Sequence, residues 1–163
     1  MTTKDYSYAI IIASDSRSSG DKKDLCIDAI EETLPNSYKL KKSLIVSDDI
    51  EKIEKALKEF VGKNYNLVLT SGGTGFSKRD NTPEASLNVI ERKTPGISEA
   101  IRLKSREKTS MWALSRAVSG ICKNSLIINL PGSPKACRES IEGILPFLGH
   151  GLDILKGDFK DHD

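Results

Sequence analysis

Four short apolar runs recur along the chain, at Tyr8 to Ala13 (YAIIIA), Leu40 to Val46 (LKKSLIV, partly polar), Leu67 to Leu69 (LVL) and Leu126 to Leu130 (LIINL). Continuous runs of this kind suit strands buried on both faces. Between them the period changes. In DDIEKIEKALKEFVG, Ile50, Ile53, Leu57, Phe60 and Val61 fall at three- and four-residue spacings while lysines and glutamates fill the other face. That pattern predicts an amphipathic helix laid on a sheet, with Asp48 or Asp49 able to cap its start. Similar helices are predicted from Asp24 to Leu34, closed by Pro35, and from about Lys135 toward Ile144. ISEAIRLKSREK reads as helix, whereas MWALSRAVSG has no clean period. Alternating strand and helix implies right-handed crossovers and a mostly parallel sheet, an α/β sandwich in which ligands bind beyond the carboxyl ends of the strands.

Composition narrows the classes. A chain of 163 residues supports one domain with a full hydrophobic core, and the expectation is a single unit over residues 1–163. Hydrophobic residues at 37% and charged residues at 29% give the balance of a soluble globular protein rather than a disordered or membrane one. No apolar run approaches the ~20 residues that span a bilayer. The opening MTTKDYSYAI lacks the apolar centre of a signal peptide, so a cytoplasmic protein is expected. With 25 basic and 23 acidic residues there is no global field for nucleic acid, and an anionic ligand must be held by a local site. Cys26, Cys122 and Cys137 are odd in number, far apart and without a CxxC pair, and read as buried or incidental thiols. His150 and His162 are too few for a histidine metal cage, and His162 falls in a polar tail read as frayed.

The local site is sought where strands end. After NLVLT comes SGGTGFSKRDNTPEA, with Thr82 expected as helix N-cap, Pro83 at the first helical position and Glu84 in the first turn. Gly72, Gly73 and Gly75 let the backbone approach a ligand closely and adopt positive φ, so successive N–H groups can form an anion nest. Lys78 and Arg79 add positive charge, whereas the Asp80 carboxylate repels an anion unless a metal ion or an arginine intervenes. The stretch is neither a Walker loop, since Phe76 follows Gly75, nor a GxGxxG fingerprint. Taken alone it also fits a tight strand-to-helix turn with a solvated charge cluster. A second strand-end loop is NLPGSPKA, in which Pro131 and Gly132 turn the chain, Ser133 caps, Pro134 opens a helix and Lys135 points into its first turn. A third ends at Ser14 and Asp15 and a fourth at IVSDD. Each of these could be an N-cap only.

Together SGGTGFSKRDNTPEA, ALSRAVSG, INLPGSPKA and ASDSRSSG make the chain resemble the MoaB/Mog family of molybdenum-cofactor biosynthesis proteins, related to the G domain of gephyrin, from about Tyr8 to Lys156. The resemblance implies a three-layer α/β/α domain, commonly trimeric, that transfers AMP from ATP to molybdopterin with a divalent cation and releases pyrophosphate. It implies ATP and molybdopterin as substrates, Mg²⁺ held by Asp80 and Asp48, and a molybdate-insertion protein as a further partner. By motif match it gives phosphate contacts to Ser71, Gly72, Gly73, Thr74 and Gly75, an essential carboxylate to Asp80 and a matching acidic residue to Asp48. Glu84, Arg79 and Thr82 lie in the same segment, Ser115 and Arg116 in the LSR motif, and Pro131, Gly132, Ser133 and Lys135 in the PGSPK loop. Ser14 and Asp15 lie in the leading motif. The family often shows S-D-R or S-D-T near the first strand; here Ser16 takes the third place and Arg17 is displaced by one. The related molybdate-insertion proteins carry a similar domain in a longer chain, which favours the adenylylation step here. A non-catalytic molybdopterin carrier and a trimeric scaffold are the alternatives.

Overall fold

The computed structural model describes residues 4–19 and 24–158, so His162 lies outside the described residues. Six strands, β1 (Tyr6–Ala13), β2 (Tyr38–Val46), β3 (Leu67–Ser71), β4 (Arg92–Lys93), β5 (Ser119–Cys122) and β6 (Ser125–Leu130), form one sheet in the order β2-β1-β3-β6-β5-β4. β1 pairs in parallel with β2 and β3, and β3 with β6, whereas β5 pairs antiparallel with β4 and β6. The four predicted strands are the parallel ones. The two that the sequence pattern missed sit in the aperiodic segment and in a two-residue edge where no apolar run exists.

Six helices flank the sheet: α1 (Asp15–Ser18), α2 (Leu25–Thr33), α3 (Ile50–Gly62), α4 (Thr82–Leu87), α5 (Pro95–Arg106) and α6 (Pro134–Lys156), with a 3₁₀ turn at Ser110–Leu114. Alternation along β1 sets the layers. Tyr6, Tyr8, Ile10 and Ile12 face Cys26, Ile30, Ile101, Cys137, Ile141 and Leu148 of α2, α5 and α6. Ala9, Ile11 and Ala13 face Ile53, Leu57, Phe60 and Ala85 of α3 and α4. The result is the expected three-layer α/β/α sandwich. β2 departs from the double burial predicted for it, because it is the sheet edge and its lysines Lys39, Lys41 and Lys42 leave it half covered. α6 runs twelve residues beyond the predicted Ile144, through Pro146. Its buried Cys137, Ile141, Ile144, Leu148 and Leu152 keep one stripe on the sheet, and that burial outweighs the glycines and proline that read as breakers.

Candidate functional site

The chemistry-bearing loops meet where the parallel strands end. Gly72 donates its N–H to the Leu130 carbonyl at 3.2 Å, and the Ser14 N–H to Val46 at 2.9 Å, so the loops after β1, β2, β3 and β6 are tied at their roots. Gly72 has φ +92° and Gly73 φ +68°. A Cβ on Gly72 would stand 2.6 Å from the Ala13 carbonyl oxygen, and one on Gly73 would run into the Thr82 hydroxyl with Asp48 Oδ1 at 3.3 Å. Only glycine fits this backbone at both positions.

Two of the caps expected from the sequence differ. Asn81, not Thr82, stands at the N-cap of α4, with φ −112° and ψ 1°, and makes no side-chain cap bond. Its amide instead donates to the Asp48 carbonyl at 2.9 Å, linking the β3 loop to the β2 loop. Thr82 is the first helical residue; its N–H donates to the Gly73 carbonyl at 3.1 Å, and its buried hydroxyl has no hydrogen-bond partner. At α3 the N-cap is Asp49, whose carboxylate does not cap the helix but accepts from Ser47 at 2.7 Å and from Arg79 at 2.9 Å.

Asp15 and Asp48 exchange hydrogen bonds, each carboxylate accepting the other's main-chain N–H at 3.0 and 2.9 Å. Arg79 grips Asp15 with Nε at 3.0 Å and Nη2 at 2.8 Å. Three loops are therefore joined by one guanidinium, and in this state Arg79 is occupied by carboxylates rather than free for phosphate. The charges divide accordingly. The Arg79 hydrogen bond holds Asp15 below the usual carboxylate range, and Ser47, Arg79 and Lys52 bring Asp49 down to about 2. Partial burial pushes Asp48 up, with negative charge on Asp15 and Asp80 adding to it. Ionised Asp48 thus costs stability at neutral pH and that cost is relieved as pH falls through its raised pKa. The contributions of Asp15 and Asp49 are instead lost as pH falls through their depressed pKa values. In a ¹³C carboxyl titration Asp48 is expected to protonate above 3.8 while Asp49 keeps its charge down to about 2. The reverse order would show that the loop packing described here is not the solution state.

Asp80 closes its own turn, accepting the Ser77 N–H at 2.9 Å on Oδ2 while its N–H donates to the Ser77 carbonyl at 3.0 Å. Arg116 stands behind that turn. Its Nε donates to the Gly75 carbonyl at 2.8 Å, its Nη2 to the Asp80 carbonyl at 2.6 Å, and its Nη1 pairs with Glu84. Burial opposes ionisation of Glu84, but the Arg116 guanidinium holds its carboxyl below the ordinary range.

The remaining predicted residues lie at the margin. Ser71 turns inward and donates to the Pro131 carbonyl at 2.7 Å. Ser14 and Ser133 are N-caps, accepting from Arg17 and Ala136. Ser115 Oγ accepts the Ala117 N–H at 3.3 Å. Lys135 does not fold into the opening turn of α6: its side chain is 84% exposed and leans toward Glu139. Arg17, out of step with the resembled motif, donates to Asp24 at 2.7 Å.

All three cysteines are free and buried. The thiols of Cys26 and Cys137 lie under the Pro131–Gly132 turn, donating to its two carbonyls at 3.4 and 3.1 Å. The interaction between the two thiols holds the Cys26 pKa down and, together with burial, pushes that of Cys137 up.

Sequence reasoning missed Asn81 and Asn129. Asn129, buried in β6, donates to Thr70 at 2.9 Å and Ser86 at 2.8 Å and accepts from the Val118 N–H at 3.1 Å. A lone amide inside LIINL is the signal that could have found it.

Among the described residues no group of three His, Cys, Asp or Glu is placed to hold a metal ion unaided. Asp48 and Asp80, near enough for the charge of one to raise the pKa of the other, match in number and kind the one or two carboxylates by which Mg²⁺ is commonly bound, with phosphate oxygens and water completing the shell. A concavity of about 440 Å³ between β2 and α3, lined in part by Leu44, Ser47, Lys52 and Lys55, lies beside the strand-end loops and gathers none of the convergent groups that they carry.

The family model described as "Probable molybdopterin binding domain" matches residues 9–150. The chain is 39% identical over 155 residues to the molybdopterin adenylyltransferase of Helicobacter pylori, covering 92% of this chain and 88% of that one. It is 41% identical over 140 residues to the molybdopterin adenylyltransferase of Escherichia coli, covering 83% and 71%. The solved structure of the molybdopterin biosynthesis enzyme MoaB from Thermus thermophilus superimposes with a TM-score of 0.88 at 40% identity, covering 93% and 97%.

Proposed function

The chain belongs to the molybdopterin-binding domain family, and from that premise we propose that it is a molybdopterin adenylyltransferase of molybdenum-cofactor biosynthesis. A terminal phosphate oxygen of molybdopterin attacks the α-phosphorus of ATP, the bond to the β-phosphate bridge breaks, and pyrophosphate leaves with its electron pair. Two anions must be brought together in line, so the protein's task is positioning and charge neutralisation. The observation that carries the reading is the meeting of the Gly72–Gly75 turn with Asp48 and Asp80 at the carboxyl ends of parallel strands. The turn offers main-chain N–H groups to phosphate. Arg79 can exchange a carboxylate partner for a phosphate at little electrostatic cost, because both are bidentate acceptors. Mg²⁺, which Asp48 and Asp80 would hold, supplies neutralisation of phosphate charge when bound. No covalent nucleophile is needed, which leaves Cys26 and Cys137 to packing.

The same reading makes the protein a cytoplasmic homotrimer, handing its product to a molybdate-insertion protein. Support for self-association comes from the surface. Phe76, Leu103, Met111 and Leu114 are 70%, 58%, 60% and 46% exposed on the β3 loop, α5 and the neighbouring 3₁₀ turn. Large apolar side chains exposed on α5 and on the 3₁₀ turn packed against it are what a subunit contact would cover. Incubation with ATP, Mg²⁺ and molybdopterin is expected to give adenylylated product and pyrophosphate, and sedimentation a mass three times that of the chain. Tight molybdopterin binding without pyrophosphate would make the protein a carrier, and a monomer at micromolar concentration would remove the trimer.

A further inference from the structure

We infer that Arg116 is a positioning residue: it shapes the loop that carries Asp80 and leaves substrate contact to that loop. The inference rests on the adenylyltransferase reading for its rate effect, though its geometry stands apart from it. A guanidinium offers five N–H donors in one plane and no acceptor, so its partners define what it is for. Here Nε, Nη1 and Nη2 are all engaged, at the Gly75 carbonyl, Glu84 and the Asp80 carbonyl. The Arg116 main-chain N–H donates as well, to the Thr74 carbonyl at 2.9 Å.

These acceptors have an order along the chain. Thr74 and Gly75 open the loop, Asp80 closes it, and Glu84 lies one turn down α4. The residues between, Phe76 to Arg79, are exposed, and the Arg79 side chain ties the segment to Asp15 and Asp49 on the neighbouring loops. Inside the loop the only cross-link is the Ser77–Asp80 pair of hydrogen bonds. One side chain from the segment before β5 thus draws both ends of the loop together and fastens them to the helix that follows. With each of its three nitrogens already bonded to a protein acceptor, Arg116 is held by the loop and the helix, and its planar fork is set by them rather than by a ligand. The direction of the Asp80 carboxylate is what it controls, because the Asp80 carbonyl it holds belongs to the same residue. Glu84, by the same geometry, orients Arg116.

A misplacement of ~1 Å at a reacting site can cost about 100-fold, and a loosened loop moves less on average. Arg116→Ala is therefore expected to lower kcat about 10-fold or more while KM for ATP and molybdopterin stays within about 3-fold. Ethylguanidinium at tens of millimolar should recover part of the rate in Arg116→Ala, and ethylammonium at equal ionic strength should not. Arg116→Lys, which lacks the planar fork, should resemble Arg116→Ala. A rise in KM with kcat unchanged would mean that Arg116 holds substrate, and would overturn the inference.

A second measurement does not depend on turnover. Amide exchange at Ser77 and Asp80 is expected to speed up by at least 10-fold in Arg116→Ala, whereas unchanged exchange overturns the inference whatever the rates do. Faster exchange in a protein whose parent releases no pyrophosphate would sustain the positioning role and remove the adenylyltransferase reading. Should Arg116→Ala fail to fold, Glu84→Ala makes the same comparison, since it removes the acceptor of Nη1 while leaving both carbonyl bonds. Faster exchange at Ser77 and Asp80 is expected there too, and unchanged exchange would count against the inference.

Discussion

Asp80→Asn is expected to fold as the parent does, to bind molybdopterin with similar affinity, and to lower the adenylylation rate by ~100-fold or more. The fold survives because the structural duty of the Asp80 side chain is one accepted hydrogen bond, from the Ser77 N–H at 2.9 Å. An asparagine Oδ1 accepts that bond equally well. What asparagine cannot replace is charge. A neutral amide is a poor ligand for a hard divalent cation, and it does nothing to hold a cation between two phosphate-bearing substrates. Asp48 sits across the same space with its own carboxyl pushed up by burial and by its acidic neighbours Asp15 and Asp80. Negative charge on Asp80 thus disfavours ionisation of Asp48, and on the proposed reading a bound cation would relieve that repulsion. Asp80→Ala separates the two duties, since it should lose the rate and also the exchange protection of the Ser77 amide. The measurement is single-turnover pyrophosphate release at saturating Mg²⁺, and equal rates for parent and Asp80→Asn would take Asp80 out of the mechanism.

The contrast between Asp80 and Arg116 marks how far residue types and spacing reach. Strand ends were legible because YAIIIA, LVL and LIINL are buried runs, and a parallel sheet puts their following loops on one side whatever the details. Gly72 and Gly73 were legible as turn-formers because no other residue has a reason to be paired there. The partners of charged side chains were not. Arg79 read as positive charge added to an anion nest and Arg116 as part of the resembled LSR motif, and each is committed here to protein oxygens, one to the Asp15 and Asp49 carboxylates and one to main-chain carbonyls and Glu84. A side chain this long reaches acceptors in several elements, and which one it meets is decided by packing across the sheet rather than by neighbours in sequence. The two extra strands escaped for a similar reason, since the antiparallel β5 takes its place from pairing with β6, not from any period of its own.

Gly73→Val carries the largest expected cost to the fold of the site. A Cβ at this position points inward, toward the Thr82 hydroxyl and Asp48 Oδ1. The variant therefore meets two penalties before any ligand arrives. A β-branched residue at φ +68° is strained, by ~1–2 kcal/mol for the left-handed region itself. The added volume must then displace Thr82, the buried first residue of α4, at a further ~1–3 kcal/mol typical of an overfilled site. Together these predict a loss of ~2–5 kcal/mol, equivalent to a fall in Tm of very roughly 5–20 °C for a chain of this size. Gly73→Ala tests the division, since it keeps the φ strain and much of the clash but omits the branch. It should be less destabilised than Gly73→Val and more than a surface substitution, which typically stays within ±0.5 kcal/mol. Binding should suffer alongside stability, because moving Thr82 breaks its 3.1 Å hydrogen bond to the Gly73 carbonyl and with it the set of the phosphate-facing turn. A Gly73→Val protein with unchanged Tm and unchanged ATP and molybdopterin affinity would mean that this turn is neither packed as described nor part of the site.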